Sequence, residues 1–307
     1  MILNDEQIRE IIDVKKCIPV MEELFSNLDN TYMPPKVYLP LPKGDFRSMP
    51  AIVGDSVGIK WCGVHVENGK CDIFAKIMLN EVSTGKLLAI MDGCYITSVR
   101  TAAVTGLATK YMAPEDAKVA AFIGCGTQTP RQIEAVCAVR DIQRISVFDL
   151  DRQAMFKIAS QVSHLGIEVH PTMDLDHCVR DADIITTLTP ARGEGFIEHS
   201  SLKDVVHVNA IGADAEGKRE LKDSCLANMG VIAYDEWEQC SHSGEIQYVG
   251  DMEQHGVLLS LGHIVNNNFA RENQTVFDAT GLAIEDVATA RYIYDKVIND
   301  NGDGAIS

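Results

Sequence analysis

The stretch Lys118-Val-Ala-Ala-Phe-Ile-Gly-Cys-Gly-Thr-Gln-Thr129, continued by Pro130-Arg-Gln-Ile-Glu-Ala-Val-Cys-Ala-Val139, decides how this chain folds. Val119 to Ile123 is an unbroken apolar run suited to a strand buried on both faces, and Pro130 to Val139 has helical character. Gly124-x-Gly126 therefore stands where a parallel strand turns into a helix. There the first glycine makes the tight turn and the second removes a Cβ so that a pyrophosphate can approach the backbone. The helix N-terminus adds unpaired N–H groups and a partial positive charge. Thr127 and Gln128 complete the turn. The third glycine of the usual pattern is replaced by Thr129, which is tolerable if the helix starts slightly further off. A second apolar run, Ile145 to Phe148, ends in Asp149, 25 positions beyond Gly124. A carboxylate at that strand end accepts hydrogen bonds from the adenosine ribose hydroxyls and repels a 2′-phosphate, which favours NAD over NADP, while Arg152 close by offsets part of the repulsion.

Outward from this fingerprint, Ile167 to Val169, Ile184 to Thr187, Val205 to Val208 and Val231 to Tyr234 alternate with helical stretches, the pattern of a doubly wound parallel sheet. Topology places Thr189 and Pro190, in the turn after the strand Ile184 to Thr187, in contact with the dinucleotide. Val276 to Gly281 leads into a last helix, Ala283 to Ile298, and the polar tail Asn299 to Ser307 is expected to fray. On the other side, Thr97 to Met112 reads as a helix rich in small residues and stopped by Pro114. Before it, Ala51 to Val53, Gly58 to Val66, Ile73 to Val82 and Leu87 to Met91 read as short strands of an antiparallel or mixed sheet, with turns at Asn68-Gly69 and Ser83-Thr84-Gly85. The first thirty or so residues have helical spacing, with Asn4 or Asp13 as caps and Pro19 breaking or redirecting the segment.

The 307 residues suffice for two domains, and 46% hydrophobic with 23% charged residues is a globular composition. Lys plus Arg number 27 against 44 Asp plus Glu, a formal charge of −17 with no basic run, which argues against nucleic-acid and membrane-surface binding. Nine cysteines without a CxxC spacing read as buried thiols in a reducing cytosol, and nine histidines without HExxH give no metal site. The N-terminus lacks a basic n-region and a long apolar stretch, so no signal peptide or transmembrane helix is expected and the chain is placed in the cytoplasm.

Several polar residues stand out against this frame. Lys60 interrupts the apolar run Val57 to Val66, where a lysine either snorkels from a sheet edge or is held in a cleft with a lowered pKa. Lys76 interrupts Ile73 to Leu79 as an edge or interface lysine, or as a site for a second substrate carboxylate. His65, five positions after Lys60, faces the opposite side of a regular strand and is read as structural. Arg100 lies on the small-residue helix, where a cation needs a partner. Asp214 follows the strand Val205 to Val208 and either lies in the crevice beyond the sheet or caps a helix starting near Glu216.

The segments Phe46-Arg-Ser-Met-Pro-Ala51, Gly58-Ile-Lys-Trp61, Thr84-Gly-Lys-Leu-Leu-Ala-Ile-Met-Asp-Gly93, Thr97-Ser-Val-Arg-Thr-Ala-Ala103, Gly124-Cys-Gly-Thr-Gln128, Asn209-Ala-Ile-Gly-Ala-Asp214 and Asp278-Ala-Thr-Gly-Leu-Ala-Ile-Glu-Asp286 resemble the ornithine cyclodeaminase/mu-crystallin family, in the family's order. The resemblance implies an α/β chain in which a Rossmann dinucleotide-binding domain (114–277) is inserted into an α+β substrate-binding and dimerisation domain (1–113 plus 278–307). It implies a homodimer with bound NAD. Arg47 would bind a substrate carboxylate, Lys60 would do acid–base work or bind that carboxylate, and Asp214 would contact the substrate nitrogen. Arg100 would reach the substrate carboxylate or the pyrophosphate, and Asp278 and Thr280 would lie near the nicotinamide. The wording around Gly58 to Gly69 and Leu79 to Gly93 is nearest the archaeal-type alanine dehydrogenases and imine reductases. The expected activity is thus an NAD-dependent amino-acid dehydrogenase or ketimine reductase acting on a small amino, imino or 2-oxo acid. The alternatives are an ornithine cyclodeaminase, which recycles NAD and releases ammonia, and a non-catalytic crystallin-like binder.

Overall fold

Packing in the computed structural model groups the chain into two units, Met1–Thr101 with Leu282–Ser307, and Ala102–Gly281. The structure describes residues 1–67, 70–249, 256–267 and 269–302; the turn expected at Asn68-Gly69 lies outside them.

The first unit starts with β1 (Ile2–Leu3), α1 (Asp5–Ile11) and α2 (Val14–Ser26). Asn4 caps α1 through the N–H of Gln7, and Asp13 caps α2 through that of Lys16. Pro19 neither breaks nor redirects α2. The carbonyl it leaves unbonded belongs to exposed Lys15, whereas Cys17, Ile18, Met21, Leu24 and Phe25 are buried, so packing outweighs the lost hydrogen bond.

Strands β2 (Thr31–Tyr32), β3 (Val37–Leu41), β4 (Gly44–Val53), β5 (Ser56–Glu67), β6 (Lys70–Glu81) and β7 (Leu87–Asp92) complete a mixed sheet in the order β1-β7-β6-β5-β4-β2, with β3 also on β4. All pairs are antiparallel except β1 with β7. The chain then enters α3 (Gly93–Met112) and returns to this unit only with the last helix, α10 (Ala283–Gly302). Residues 299–302, expected to fray, are therefore helical.

Helix α10 packs on β4 to β7, and α1 and α2 pack on α10. It buries Val287 and Ile293 completely, about 1.5–3 kcal/mol for each such side chain. A Cβ on Gly58 would lie 2.9 Å from Cγ2 of Val287, so the glycine is what lets α10 come this close to β5.

The second unit is an eight-stranded parallel sheet: β8 (Val119–Ile123), β9 (Arg144–Phe148), β10 (Glu168–Thr172), β11 (Ile184–Thr187), β12 (Val206–Ala210), β13 (Val231–Tyr234), β14 (Val257–Ser260) and β15 (Gln274–Asp278), ordered β10-β9-β8-β11-β12-β15-β13-β14. Its helices are α4 (Thr129–Val139), α5 (Arg152–Gln161), α6 (Leu175–Val179), α7 (Asp223–Leu226), α8 (Trp237–Ser243) and α9 (Leu261–Asn266). Strand order reverses between β8 and β11, and the loops after these two strands flank the point where such sheets bind ligands. Two strands of this sheet differ from the sequence expectation. β14 was not anticipated, and β15, read as a lead-in to the last helix, sits inside the sheet between β12 and β13. No helix among the described residues is long and apolar enough to cross a membrane.

Candidate active site

In the first unit the strand registers Arg47↔Cys62, Met49↔Lys60 and Lys60↔Ile77 put Arg47, Lys60 and Cys62 on the sheet face that carries the core. Lys60 does not snorkel: it is 2% exposed. Its Nζ lies 2.7 Å from Oδ2 of Asp286 on α10 and 3.5 Å from Oγ1 of Thr97 on α3. Oδ1 of the same aspartate accepts from Nε of Arg100 at 3.0 Å, and Glu285 Oε2 accepts from the other arm of the guanidinium at 2.6 Å. Two cations and two carboxylates thus neutralise one another in a nearly dry setting.

Burial pushes the Lys60 amine down, Asp286 opposes this, and Arg100 adds to it. Burial alone would raise the Asp286 carboxyl, yet the charges of Arg100 and Lys60 hold it below the usual carboxylate range. Arg100 stays charged because Asp286 and Glu285 more than offset its burial. The Arg47 guanidinium is clasped by Asp45, with Nε–Oδ1 2.7 Å and NH2–Oδ2 3.3 Å, and lies over the Tyr38 ring. Lys76 and His65 are exposed on the opposite face, where Lys76 pairs with Asp92, so Lys76 is not beside Lys60 and Arg47.

In the second unit Gly124 closes the turn after β8 with φ +100°, and a Cβ there would lie 2.9 Å from the Leu188 carbonyl oxygen in the loop after β11. A Cβ on Gly126, by contrast, would meet nothing within 4 Å. Thr129, in place of the third glycine, is fully buried and donates from Oγ1 to the Gly124 carbonyl at 2.8 Å, which ties the helix to the turn. Asp149 holds the same turn, accepting from the Cys125 N–H at 2.6 Å and from the Asp151 N–H at 2.8 Å. Helix α4 has no side-chain cap at Gln128, whose Oε1 is buried without a hydrogen-bond partner, whereas Asp151, Asp174, Glu236 and Ser260 cap α5, α6, α8 and α9. Open space at Gly126, the exposed Thr127 and the uncapped N–H groups of the α4 N-terminus fit a dinucleotide pyrophosphate. Arg152 is exposed at the start of α5.

A series of buried carboxylates, not foreseen from sequence as a group, holds the loops at this sheet edge. Oδ2 of Asp278 accepts from the Ile246 N–H at 2.9 Å. Glu245 accepts from the N–H groups of Glu220 at 2.7 Å and Leu221 at 3.2 Å. Glu220 in turn accepts from Thr187 Oγ1 at 2.6 Å, Thr189 N at 2.6 Å, Thr189 Oγ1 at 2.8 Å and Gly212 N at 2.8 Å. Each carboxylate fixes the backbone that carries the next, and the last fixes the loops after β11 and β12. Asp214, two residues beyond Gly212, pairs with Lys218 across a turn; the helix anticipated near Glu216 does not form. Asp278 and Thr280 are turned into the protein, Thr280 donating to Asp235 at 3.0 Å.

This series makes stability depend on pH. Burial, with the charges of Asp235 and Glu220 adding to it, pushes the Asp278 carboxyl up to about 8. Its contribution is complete below the unfolded value near 4 and is lost as pH rises through 8. Burial pushes His207, bonded to Asn209 and Thr275, down to about 3, so its contribution is present above about 6.5 and lost as pH falls. The two slopes oppose each other between pH ~4 and ~6.5, and from there to pH ~8 Asp278 acts without that opposition, at about 1.4 kcal/mol per pH unit. Denaturant unfolding should therefore show at least about 2 kcal/mol less stability at pH ~8 than at pH ~6.5, burial of Glu220 and Glu245 adding in the same direction, and Asp278→Asn should flatten the slope by its own share, about 2 kcal/mol. An unchanged pH slope in the variant would refute the assignment.

A parallel sheet in this strand order, with a glycine turn and an uncapped helix at its reversal point, interrupting in sequence an α+β unit in which one buried carboxylate bridges a lysine and a guanidinium, defines a Rossmann-type dinucleotide-binding protein. The chain belongs to the ornithine cyclodeaminase/mu-crystallin family, which it matches over residues 1–301. It is 36% identical to the alanine dehydrogenase of Archaeoglobus fulgidus over 98% of this chain and 96% of that protein. Among solved structures, an archaeal alanine dehydrogenase dimer with bound NAD has a TM-score of 0.90 at 35% identity, covering 98% of this chain and 97% of that one. The Δ1-pyrroline-2-carboxylate reductase of Thermococcus litoralis, in complex with NADH and L-proline, also has a TM-score of 0.90, at 29% identity with 98% of both chains covered.

Glu285, Asp286 and Glu220 were missed in the sequence. A signal for the first two existed: Lys60 on an apolar strand and Arg100 on a small-residue helix each required a carboxylate, and Glu285-Asp286 follows the last turn before α10. Acids in a first helical turn read equally well as partners of the helix dipole, which hid them.

Proposed function

We propose that the protein is an NAD-dependent oxidoreductase that interconverts a small 2-amino acid and its 2-imino or 2-oxo counterpart, as an amino-acid dehydrogenase or imine reductase. What carries this reading is the buried Lys60 ammonium on the sheet face of Arg47, a provision for an anionic substrate that needs a proton donor. The full-length likeness to alanine dehydrogenase supports it. NAD, held by the Gly124–Gln128 turn, the α4 N-terminus and the loop at Thr189, supplies or accepts a hydride at the substrate Cα when bound. Arg47 clamps the substrate carboxylate, exchanging its intramolecular partner Asp45 for the ligand. Lys60 gives up or takes a proton at the substrate nitrogen or an attacking water, and Asp214 orients the iminium.

The chain works as a homodimer in the cytosol. Leu39, Trp61, Phe74 and Met78, all exposed, give the outer sheet face of the first unit an apolar surface suited to a second copy, and eight of the nine cysteines are free thiols.

The test is an NADH-oxidation screen over 2-oxo acids with ammonia or methylamine, and over cyclic imines, with the amine product identified by mass. Absence of turnover across that panel, or ammonia release from ornithine without net NADH change, would overturn the reading. The coenzyme preference is separately testable. NADH should bind more tightly than NADPH, and Asp149→Ser should narrow the gap by about tenfold or more. Tighter binding of NADPH by the unaltered protein would contradict the role given to Asp149.

A further inference from the structure

We propose that Asp286 is the positioning residue for Lys60: it fixes Nζ on the sheet face and keeps it charged, and so sets the pH range in which the lysine serves the reaction. The inference rests on the role given to Lys60 above. The geometry is specific. Lys60 reaches Nζ into an apolar layer between Met49 and Ile77, its direct cross-strand neighbours, where an ammonium without a counterion gives up its proton. Among the described residues Asp286 is the one carboxylate at ion-pair distance from it, 2.7 Å from Nζ.

The other groups facing Nζ cannot replace that carboxylate. From α3, Arg100 repels the ammonium, and the Thr97 hydroxyl, which donates to the Gly93 carbonyl at 2.7 Å, offers only a neutral acceptor 3.5 Å from Nζ. From β5 itself, burial pushes the Cys62 thiol up, so it carries no charge at neutral pH. From α10, Glu285 is engaged by Arg100. Asp286 also accepts from Arg100 Nε, so one carboxylate holds both cations in register; Gly58, by admitting α10 close to β5, lets it reach them. An amide of the same shape would keep part of the hydrogen bonding and lose the charge.

The sign of the effect follows. Holding a substrate carboxylate or donating a proton requires the ammonium, so reductive kcat/KM falls once pH exceeds the Lys60 pKa. Asp286→Asn leaves the lysine buried beside Arg100 and brings that fall to lower pH. We expect the high-pH limb of reductive kcat/KM to move down by about one pH unit or more, with activity partly recovered at lower pH, whereas Asp286→Glu, which restores the charge, keeps the limb near its original position. A uniform loss of rate with an unmoved limb in Asp286→Asn would overturn the proposal, because a merely structural role predicts that outcome. If Asp286→Asn does not fold, the unaltered protein decides. In 15N NMR of lysine-labelled enzyme, with Lys60 assigned by its loss in Lys60→Met, Nζ must read as an ammonium at pH ~7, and an amine there refutes the pairing. The NMR result stands even if no imine is reduced, so failure of the functional reading is told apart from failure of this one.

Discussion

Lys60→Met should lower reductive kcat/KM by about 10²–10⁴-fold, the range of a lost general acid, while the protein stays folded. Methionine matches the lysine stem in length and suits the apolar layer in which Lys60 lies. Asp286 keeps Arg100 as partner through Oδ1, so the change leaves one oxygen without a cation rather than a wholly unpaired carboxylate. The stability cost should be about 1–3 kcal/mol, the penalty for a buried polar group left unsatisfied, and readable in a melting curve. Turnover within tenfold of the unaltered enzyme would remove Lys60 from the chemistry.

The second large effect is expected at the glycine turn, where two neighbouring glycines should behave differently. Alanine at position 124 must adopt φ +100° and press its Cβ to 2.9 Å from the Leu188 carbonyl oxygen. The backbone strain alone is about 1–3 kcal/mol, and relief requires the loops after β8 and β11 to part at the point where the strand order reverses. Gly124→Ala should lower both melting temperature and NADH affinity, the latter by about tenfold or more. At Gly126 φ is not positive and the added methyl meets open space, so Gly126→Ala should leave the melting temperature unchanged and weaken NADH binding alone. Calorimetric titration beside thermal melts separates the two. Equal melting losses in both variants would contradict the geometry, and unimpaired NADH binding by Gly126→Ala would mean that the cofactor does not approach that backbone.

Local patterns in the sequence sufficed for elements whose burial is two-sided or strictly alternating. Val119–Ile123, Ile184–Thr187 and Val231–Tyr234 coincide with β8, β11 and β13 because a continuous apolar run bounded by turn residues has few other ways to be satisfied. Where long-range packing decides, local signals misled. Pro19 carries a strong breaking signal, but its cost is confined to one carbonyl on a solvated face. β15 reads as a connector because its neighbours β12 and β13 lie far back in sequence. Of the candidate site, Arg47, Lys60, Arg100 and the glycine turn stood out as residue types that conflict with their surroundings. The carboxylates that resolve those conflicts, Asp286 and Glu285 for the cations and Glu220 for the loops, are common acids in ordinary contexts, and only the fold shows what they meet.

The late position of β15 in the chain also bears on how the protein is made. The strand lies between β12 and β13, so the eight-stranded sheet stays in two pieces with open edges until residue 278 has been synthesised. The sheet of the first unit, complete in sequence by Asp92, lacks the main cover of its apolar face until α10 follows. Nascent chains therefore carry unpaired strand edges and a half-covered apolar sheet through most of translation, and contacts between residues this distant in sequence form slowly. A ribosome-stalled chain ending at residue ~270 should accordingly be bound by chaperones and digested readily by protease.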